Sequence, residues 1–231
     1  MEADVAKWYG TYSRAAAIYF LNRPEVVAVS DFYIGVVDVA PWMPADHPMH
    51  GKTLDEIYYY LVHKYLCPRA TIRTACDTFF GAHLEGVPFV AIHIRGSDKL
   101  LEDKNLRATH QAFLSTLAAI NPTWRIFLLT DDEQWCTRIK DAYGDRVITT
   151  SCQRTSTSTG VHYLPSVDRV RAGVEVMTDT FLALRADQFV GNGRSNVSAM
   201  IAVMKKWAPG DCTLIGRSQL MERNLFIHIK R

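Results

Sequence analysis

The chain has 231 residues, 48% of them hydrophobic and 22% charged, with a net charge of +2. This ordinary globular composition, with near-neutral balance and no basic run, gives no footing for nucleic acid. Five widely spaced cysteines without a CxxC pair speak against a zinc site or a disulfide framework. Reduced, mostly buried thiols are expected, which suits the cytosol.

The start, Met1-Glu2-Ala3-Asp4, is acidic and unlike a signal peptide. The first 85 residues read as mainly helical, with patterns over 4–20, 53–66 and 68–84. Pro41, Pro44 and Pro48 break the chain between the first two, and Thr53-Leu54-Asp55-Glu56 has the form of a capping box. The tyrosines 58–60 read as packing residues. The apolar run over 26–40 is interrupted by Asp31 and Asp38. It is too short for a bilayer span of about 20 residues, and a peripheral membrane contact stays open.

From Pro88 onward strand and helix alternate. Strands are predicted over 89–95, 125–130, 146–149, 188–190 and 213–215, and helices over 107–119, 132–143, 166–185 and 195–206. Gly144 is placed to cap the second of these helices. In the third, Val167, Val170, Val174, Met177, Phe181 and Leu184 have the spacing of a core-facing stripe. The Ser/Thr-rich stretch 149–160 reads as a long loop, a kind of segment that is often functional. The βαβαβ order predicts an α/β fold with a Rossmann-like parallel sheet. The expected division is a helical region over 1–85 and a Rossmann-like domain over 86–231.

Four segments at strand ends or helix starts carry the chemistry. His93-Ile94-Arg95-Gly96-Ser97-Asp98-Lys99 closes an apolar strand, with His93 and Arg95 on one face, roughly 7 Å apart at strand spacing. A forked cation beyond the carboxyl end of such a strand suits a phosphate. Thr130-Asp131-Asp132 ends the next strand. One Asp is expected to cap the following helix, and the other could accept from ribose hydroxyls or bind a metal. Gly191-Asn192-Gly193-Arg194-Ser195-Asn196 is either a phosphate cradle before a helix N-terminus or a tight turn capped by Ser195 or Asn196. Asp179 lies off the apolar stripe of its helix; it could accept from guanine's N1–H and 2-amino group, or pair with Arg185.

Taken together, His93 to Lys99 resembles the His-x-Arg-x-x-Asp-Lys motif of α1,6-fucosyltransferases. That family includes core-fucosylating and Nod-factor enzymes and is related more distantly to protein O-fucosyltransferases. Phe127 to Asp132 is similar to the family's strand ending in Thr-Asp-Asp, and Thr178 to Asp187 to its later helix; the resemblance spans about 68–206. It implies a GT-B-type donor domain, here with a reduced N-terminal region left from an acceptor half, or a chain that is part of a larger protein or complex. It implies an inverting, metal-independent transferase that uses GDP-fucose as donor, a glycan as acceptor and no cofactor. Arg95 would contact the β-phosphate, His93 would help form that pocket, Asp131 or Asp132 would line the nucleotide site and Asp179 would read guanine. Ser195, with Gly193 and Asn196 beside it, would hold phosphate. The catalytic group would be Arg95, Asp98, Lys99 and an acidic residue just beyond, Glu102 or Asp103, with Glu102 preferred. The alternatives are a transferase of another nucleotide sugar, or a non-catalytic nucleotide-binding domain of a larger assembly. One departure is Gly96, where the α1,6 enzymes often carry a second Arg.

Overall fold

The computed structural model describes residues 24–26, 36, 43–98 and 106–216, with side chains from 109 onward in the last stretch. The predicted helix over 4–20, most of the apolar run 26–40, and the candidates Lys99 and Glu102 lie outside the described residues. The chain forms two compact units, one of residues 1–60 with 219–231, the other of residues 61–218.

Helix α1, Leu54–Tyr65, starts in the first unit and ends in the second. Its N-terminus carries the expected reciprocal cap. The Thr53 N–H donates to Glu56 Oε2 at 2.8 Å, and the Glu56 N–H donates to Thr53 Oγ1 at 3.2 Å. Among the described residues no helix is long and apolar enough to cross a membrane.

The second unit alternates strand and helix. In chain order it contains α2 (Ala70–His83), β1 (Phe89–Ile94), α3 (Leu106–Ala118), β2 (Arg125–Thr130) and α4 (Glu133–Tyr143). These are followed by β3 (Val147–Ile148), α5 (Arg169–Ala183), β4 (Gln188–Asn192), α6 (Asn196–Met204) and β5 (Cys212–Ile215). All strand pairs are parallel, in the order β3-β2-β1-β4-β5. This is the doubly wound arrangement the sequence predicts. Its strand order reverses between β1 and β4, where such sheets leave a crevice at their carboxyl ends.

The sheet is covered on both faces, so its central strand is apolar throughout: all six residues of β1 are buried. Alternation divides the core in two. Phe89 and Ala91 of β1, with Phe127 and Leu129 of β2, pack against Ile72 and Cys76 of α2, Leu182 and Ala183 of α5 and Ile201 of α6. Val90, Ile92 and Ile94, with Ile126 and Leu128, pack against Phe113 and Leu117 of α3 and Trp135 and Ile139 of α4.

Some details depart from the sequence reading. β3 is two residues long rather than four. The stripe on α5 does not face the core along its length: Val170 is 78% exposed and Val174 43%. The buried positions of that helix are Asp179, Thr180, Leu182 and Ala183, because its first half borders a cavity, described below. All five cysteines are free, but only Cys76 and Cys136 are buried; Cys67 is exposed and Cys152 and Cys212 are half-buried.

Candidate functional site at the carboxyl ends of the central strands

The register of the sheet brings the candidate segments to one edge. Ile94 of β1 lies beside Thr130 of β2, and His93 beside Gly191 of β4. The residues that follow, Arg95 and Asp131, therefore leave the sheet side by side. A cavity of 530 Å³ opens there, lined by His93, Arg95, Asp131, Gln153, Asp179 and Val197 together with residues of α5 and of the loop before it. Ligand pockets commonly enclose about 300–1,000 Å³.

Arg95 is not the open fork that its position suggests. One guanidinium nitrogen, Nη1, binds Asp131 Oδ2, and the other, Nη2, donates to Asp98 Oδ1 at 2.8 Å. Asp131 is the more deeply tied of the two carboxylates. It also accepts from the Gly96 N–H at 2.9 Å and from the Ser97 hydroxyl. Ser97 Oγ also lies 2.9 Å from Asp98 Oδ1, but a hydroxyl has one proton and donates to one carboxylate at a time. Ser97 sits in the left-handed region with φ of +46°, a conformation uncommon outside glycine. In this turn its hydroxyl lies beside both carboxylates.

Of the pair Asp131-Asp132, Asp132 is the expected cap, and Asp131 lines the cavity. Asp132 caps α4, accepting from the Gln134 N–H at 2.8 Å and the Trp135 N–H at 3.3 Å. Asp132 is outside the cavity lining, and Asp131 is inside it. Gly96 is required by this cap: a Cβ on residue 96 would lie 2.5 Å from Asp132 Oδ2 and 2.7 Å from Asp132 Cβ. The space that a second arginine would need is already taken.

His93 faces α6, where its Nδ1 lies 2.7 Å from Ser198 Oγ. Burial pushes its pKa down to about 4, with Asp131 opposing and Arg95 adding to the shift, so the ring is neutral near pH 7. Gly191 makes room for this contact rather than for a ligand. A Cβ there would come within 2.6 Å of the Phe189 ring and 2.7 Å of Ser198 Oγ.

The turn after β4 is held by Asn192. Its Oδ1 accepts from the Arg194 N–H at 2.9 Å, and its Nδ2 donates to Thr109 Oγ1 at 3.1 Å. The Gly193 N–H is spent on Ile215 O at 2.8 Å. Ser195 occupies the cap position of α6 but makes no side-chain cap bond. The first turn of α6 is thus uncapped, and Val197 from it reaches the cavity. Gly193, Ser195 and the exposed Asn196 are not part of the cavity lining.

Asp179 lies at the α5 side of the cavity, 7% exposed. It does not pair with Arg185, which binds Asp77 instead. Its Oδ1 accepts from Thr150 Oγ1 at 2.6 Å. Burial raises its pKa to about 6, against the Thr150 and Cys152 hydrogen bonds and the Arg154 charge, which lower it; Glu175 adds to the rise. One turn earlier on α5, Glu175 accepts from the Gln153 N–H at 3.0 Å and from Arg171 Nε at 2.8 Å. The two carboxylates fasten the loop over 150–154 to α5.

Gln153 and Glu175 were not singled out in the sequence; only the length and polarity of the 149–160 loop marked their neighbourhood. Gln153 lines the cavity, and its Oε1 is buried with no hydrogen-bond partner among the described residues. Such an atom asks for a donor from a ligand or water. Among the described residues no group of three or more His, Cys, Asp or Glu side chains is placed to hold a metal.

No protein-family model matches the chain, and neither does any curated protein. Several solved structures are similar to it. NodZ α-1,6-fucosyltransferase soaked with GDP-fucose matches at 17% identity and a TM-score of 0.48, over 73% of this chain and 56% of that one. Fucosyltransferase NodZ from Bradyrhizobium matches at 22% identity and a TM-score of 0.42, over 63% and 44%. POFUT1 in complex with GDP matches at 16% identity and a TM-score of 0.43, over 70% and 50%. The chain spans about half the length of the solved structures it matches.

Proposed function

We propose that this chain binds a guanosine diphosphate sugar at the carboxyl ends of β1 and β2 and acts as an inverting glycosyltransferase, with GDP-fucose as donor and a glycan as acceptor. The observation that carries the reading is the joining of Arg95 and the buried Asp179 in one cavity of 530 Å³. The first suits a diphosphate and the second suits a base edge with paired N–H donors. The buried Oε1 of Gln153, without a partner among the described residues, adds an acceptor to the same cavity, and Val197 brings the uncapped first turn of α6 to its wall. The resemblance of His93 to Lys99 to the α1,6-fucosyltransferase motif supports fucose as the sugar.

In this reading the acceptor hydroxyl attacks the anomeric carbon while the bond to the β-phosphate breaks. A base takes the hydroxyl proton, and the departing diphosphate carries the electron pair. Arg95 and the N–H groups of α6 stabilise the charge that develops on it. The remaining parts of the acceptor site would come from a larger protein or complex.

Calorimetric titration in EDTA tests the nucleotide site. GDP should bind without added divalent metal, ahead of UDP, CMP and ADP. A ligand at 100 times its Kd stabilises the fold by about 2.7 kcal/mol, so a thermal-shift panel of the four reads base preference directly. Binding only with Mg²⁺ or Mn²⁺ would make Asp131 a metal ligand and remove the metal-free mechanism. GDP binding with no turnover of GDP-fucose on any acceptor would favour a non-catalytic nucleotide-binding domain.

A further inference from the structure

The charges around Arg95 do not balance. One guanidinium faces two carboxylates, Asp131 on Nη1 and Asp98 on Nη2, and all three side chains are largely shielded, with 23%, 16% and 14% of their surfaces exposed. Among the described residues these three groups sum to one negative charge, so a diphosphate approaching them meets repulsion until one carboxylate leaves. Like charges a few ångströms apart repel strongly at the effective dielectric of a protein surface, which makes this a controlling term for an anionic ligand.

The two carboxylates are not equally able to leave. Asp131 is anchored at the end of β2 and accepts from the Gly96 backbone N–H as well as from Arg95 and Ser97. Asp98 accepts from Arg95 and competes for the single proton of Ser97, with no backbone donor among the described residues. Asp98 is also packed against Gly160. A Cβ on Gly160 would fall 2.8 Å from Asp98 Oδ2 and 2.8 Å from His162 Cε1, so both side chains crowd the same side of residue 160. His162 belongs to the cavity lining, and Asp98 does not.

We infer that Asp98 competes with the ligand's terminal phosphate for Arg95, and that it is the residue which holds down the affinity for the diphosphate. The inference rests on the nucleotide-binding reading above. In the structure the Asp98 carboxylate occupies the guanidinium limb that a terminal phosphate needs. Bound, a phosphate oxygen replaces it on Nη2 and the carboxylate turns toward solvent. No bond is made or broken in this exchange; one anion substitutes for another on the same donor. The same contact hastens departure of GDP once the sugar has left, because Asp98 is at hand to take back the guanidinium. Asp98 would thus set how tightly the phosphate end binds and leave the base end untouched.

The test compares the parent chain with Asp98→Asn, titrated with GDP and with guanosine at one fixed ionic strength. Asn keeps the shape and removes the charge. GDP should bind the variant at least fivefold more tightly, with slower dissociation in stopped-flow measurement, while guanosine affinity stays within twofold of the parent. Asp98→Ser, which removes the carboxylate with a smaller side chain, should show the same gain if the Asn variant does not fold. Asp98→Glu, which keeps the charge, should show no such gain. Unchanged or weaker GDP binding by the folded Asn or Ser variant overturns the inference alone. An equal gain for guanosine also overturns it, because the effect would then not lie at the phosphate end. A parent chain that binds neither compound overturns it together with the nucleotide-binding reading.

Discussion

Arg95→Lys is expected to lower the rate of GDP release from GDP-fucose by two or more orders of magnitude, while GDP affinity falls far less. Lysine keeps the charge but offers a single ammonium in place of a planar fork. The fork bridges Asp131 and Asp98 through different nitrogens, and one ammonium cannot hold both in that geometry. With the diphosphate bound, the same fork would keep Asp131 on one limb and present the other to the leaving group. Charge on that group grows as the glycosidic bond breaks, so the interaction strengthens toward the transition state and acts on turnover more than on binding. A hundredfold loss corresponds to about 3 kcal/mol of barrier. Turnover and melting temperature should be measured on one purified variant. A lowered melting temperature with full turnover would make Arg95 an ion-pair residue of the β1–β2 edge and remove the main support for a transferase.

Asp179→Asn should weaken GDP binding by about 1–3 kcal/mol, the range for a hydrogen bond to a charged group. The pH dependence separates this from a packing defect. Burial raises the Asp179 pKa to about 6, so the carboxylate that would accept from two guanine donors is lost as pH falls through 6. GDP affinity of the parent should decline over that window, and the Asn variant should lack this component. Stability runs the other way. A carboxyl whose folded pKa lies above its unfolded value favours the folded state at low pH, and that contribution is lost as pH rises through about 6. The Asn variant should therefore melt no lower than the parent at pH 7. Equal GDP affinity in variant and parent would place Asp179 outside the nucleotide site.

Much of the α/β unit was legible because local periodicity carries it. The apolar runs of β1 and β2, the Gly144 position and the Asp before α4 are short-range signals, and each element formed within a few residues of its predicted place. The stripe on α5 misled for a physical reason. Spacing shows that Val170 and Val174 share a helix face, but not that the core ends before that face does. The partners of Arg95 were illegible for a similar reason. Asp131 is 36 residues away, and only the pairing of Ile94 with Thr130 makes the two neighbours. The sequence could name a cation at a strand end; it could not tell that two carboxylates had already claimed it. Gln153 carries no motif, and its interest comes entirely from a buried oxygen without a partner.

The crowding of Gly96 against Asp132 bears on how this site can change over evolutionary time. A Cβ at residue 96 would fall within 2.7 Å of the Asp132 side chain, so an arginine cannot enter there while the aspartate caps α4. Replacing that cap by glycine costs by itself only a few tenths of a kcal/mol. The two positions are therefore epistatic. Gly96→Arg should be strongly harmful with Asp132 present and tolerated once residue 132 is glycine, a non-additivity that a double-mutant cycle on melting temperature would read. Additive effects would show that the loop yields instead. A lineage carrying this pair would reach an arginine at residue 96 most easily by giving up the aspartate cap first.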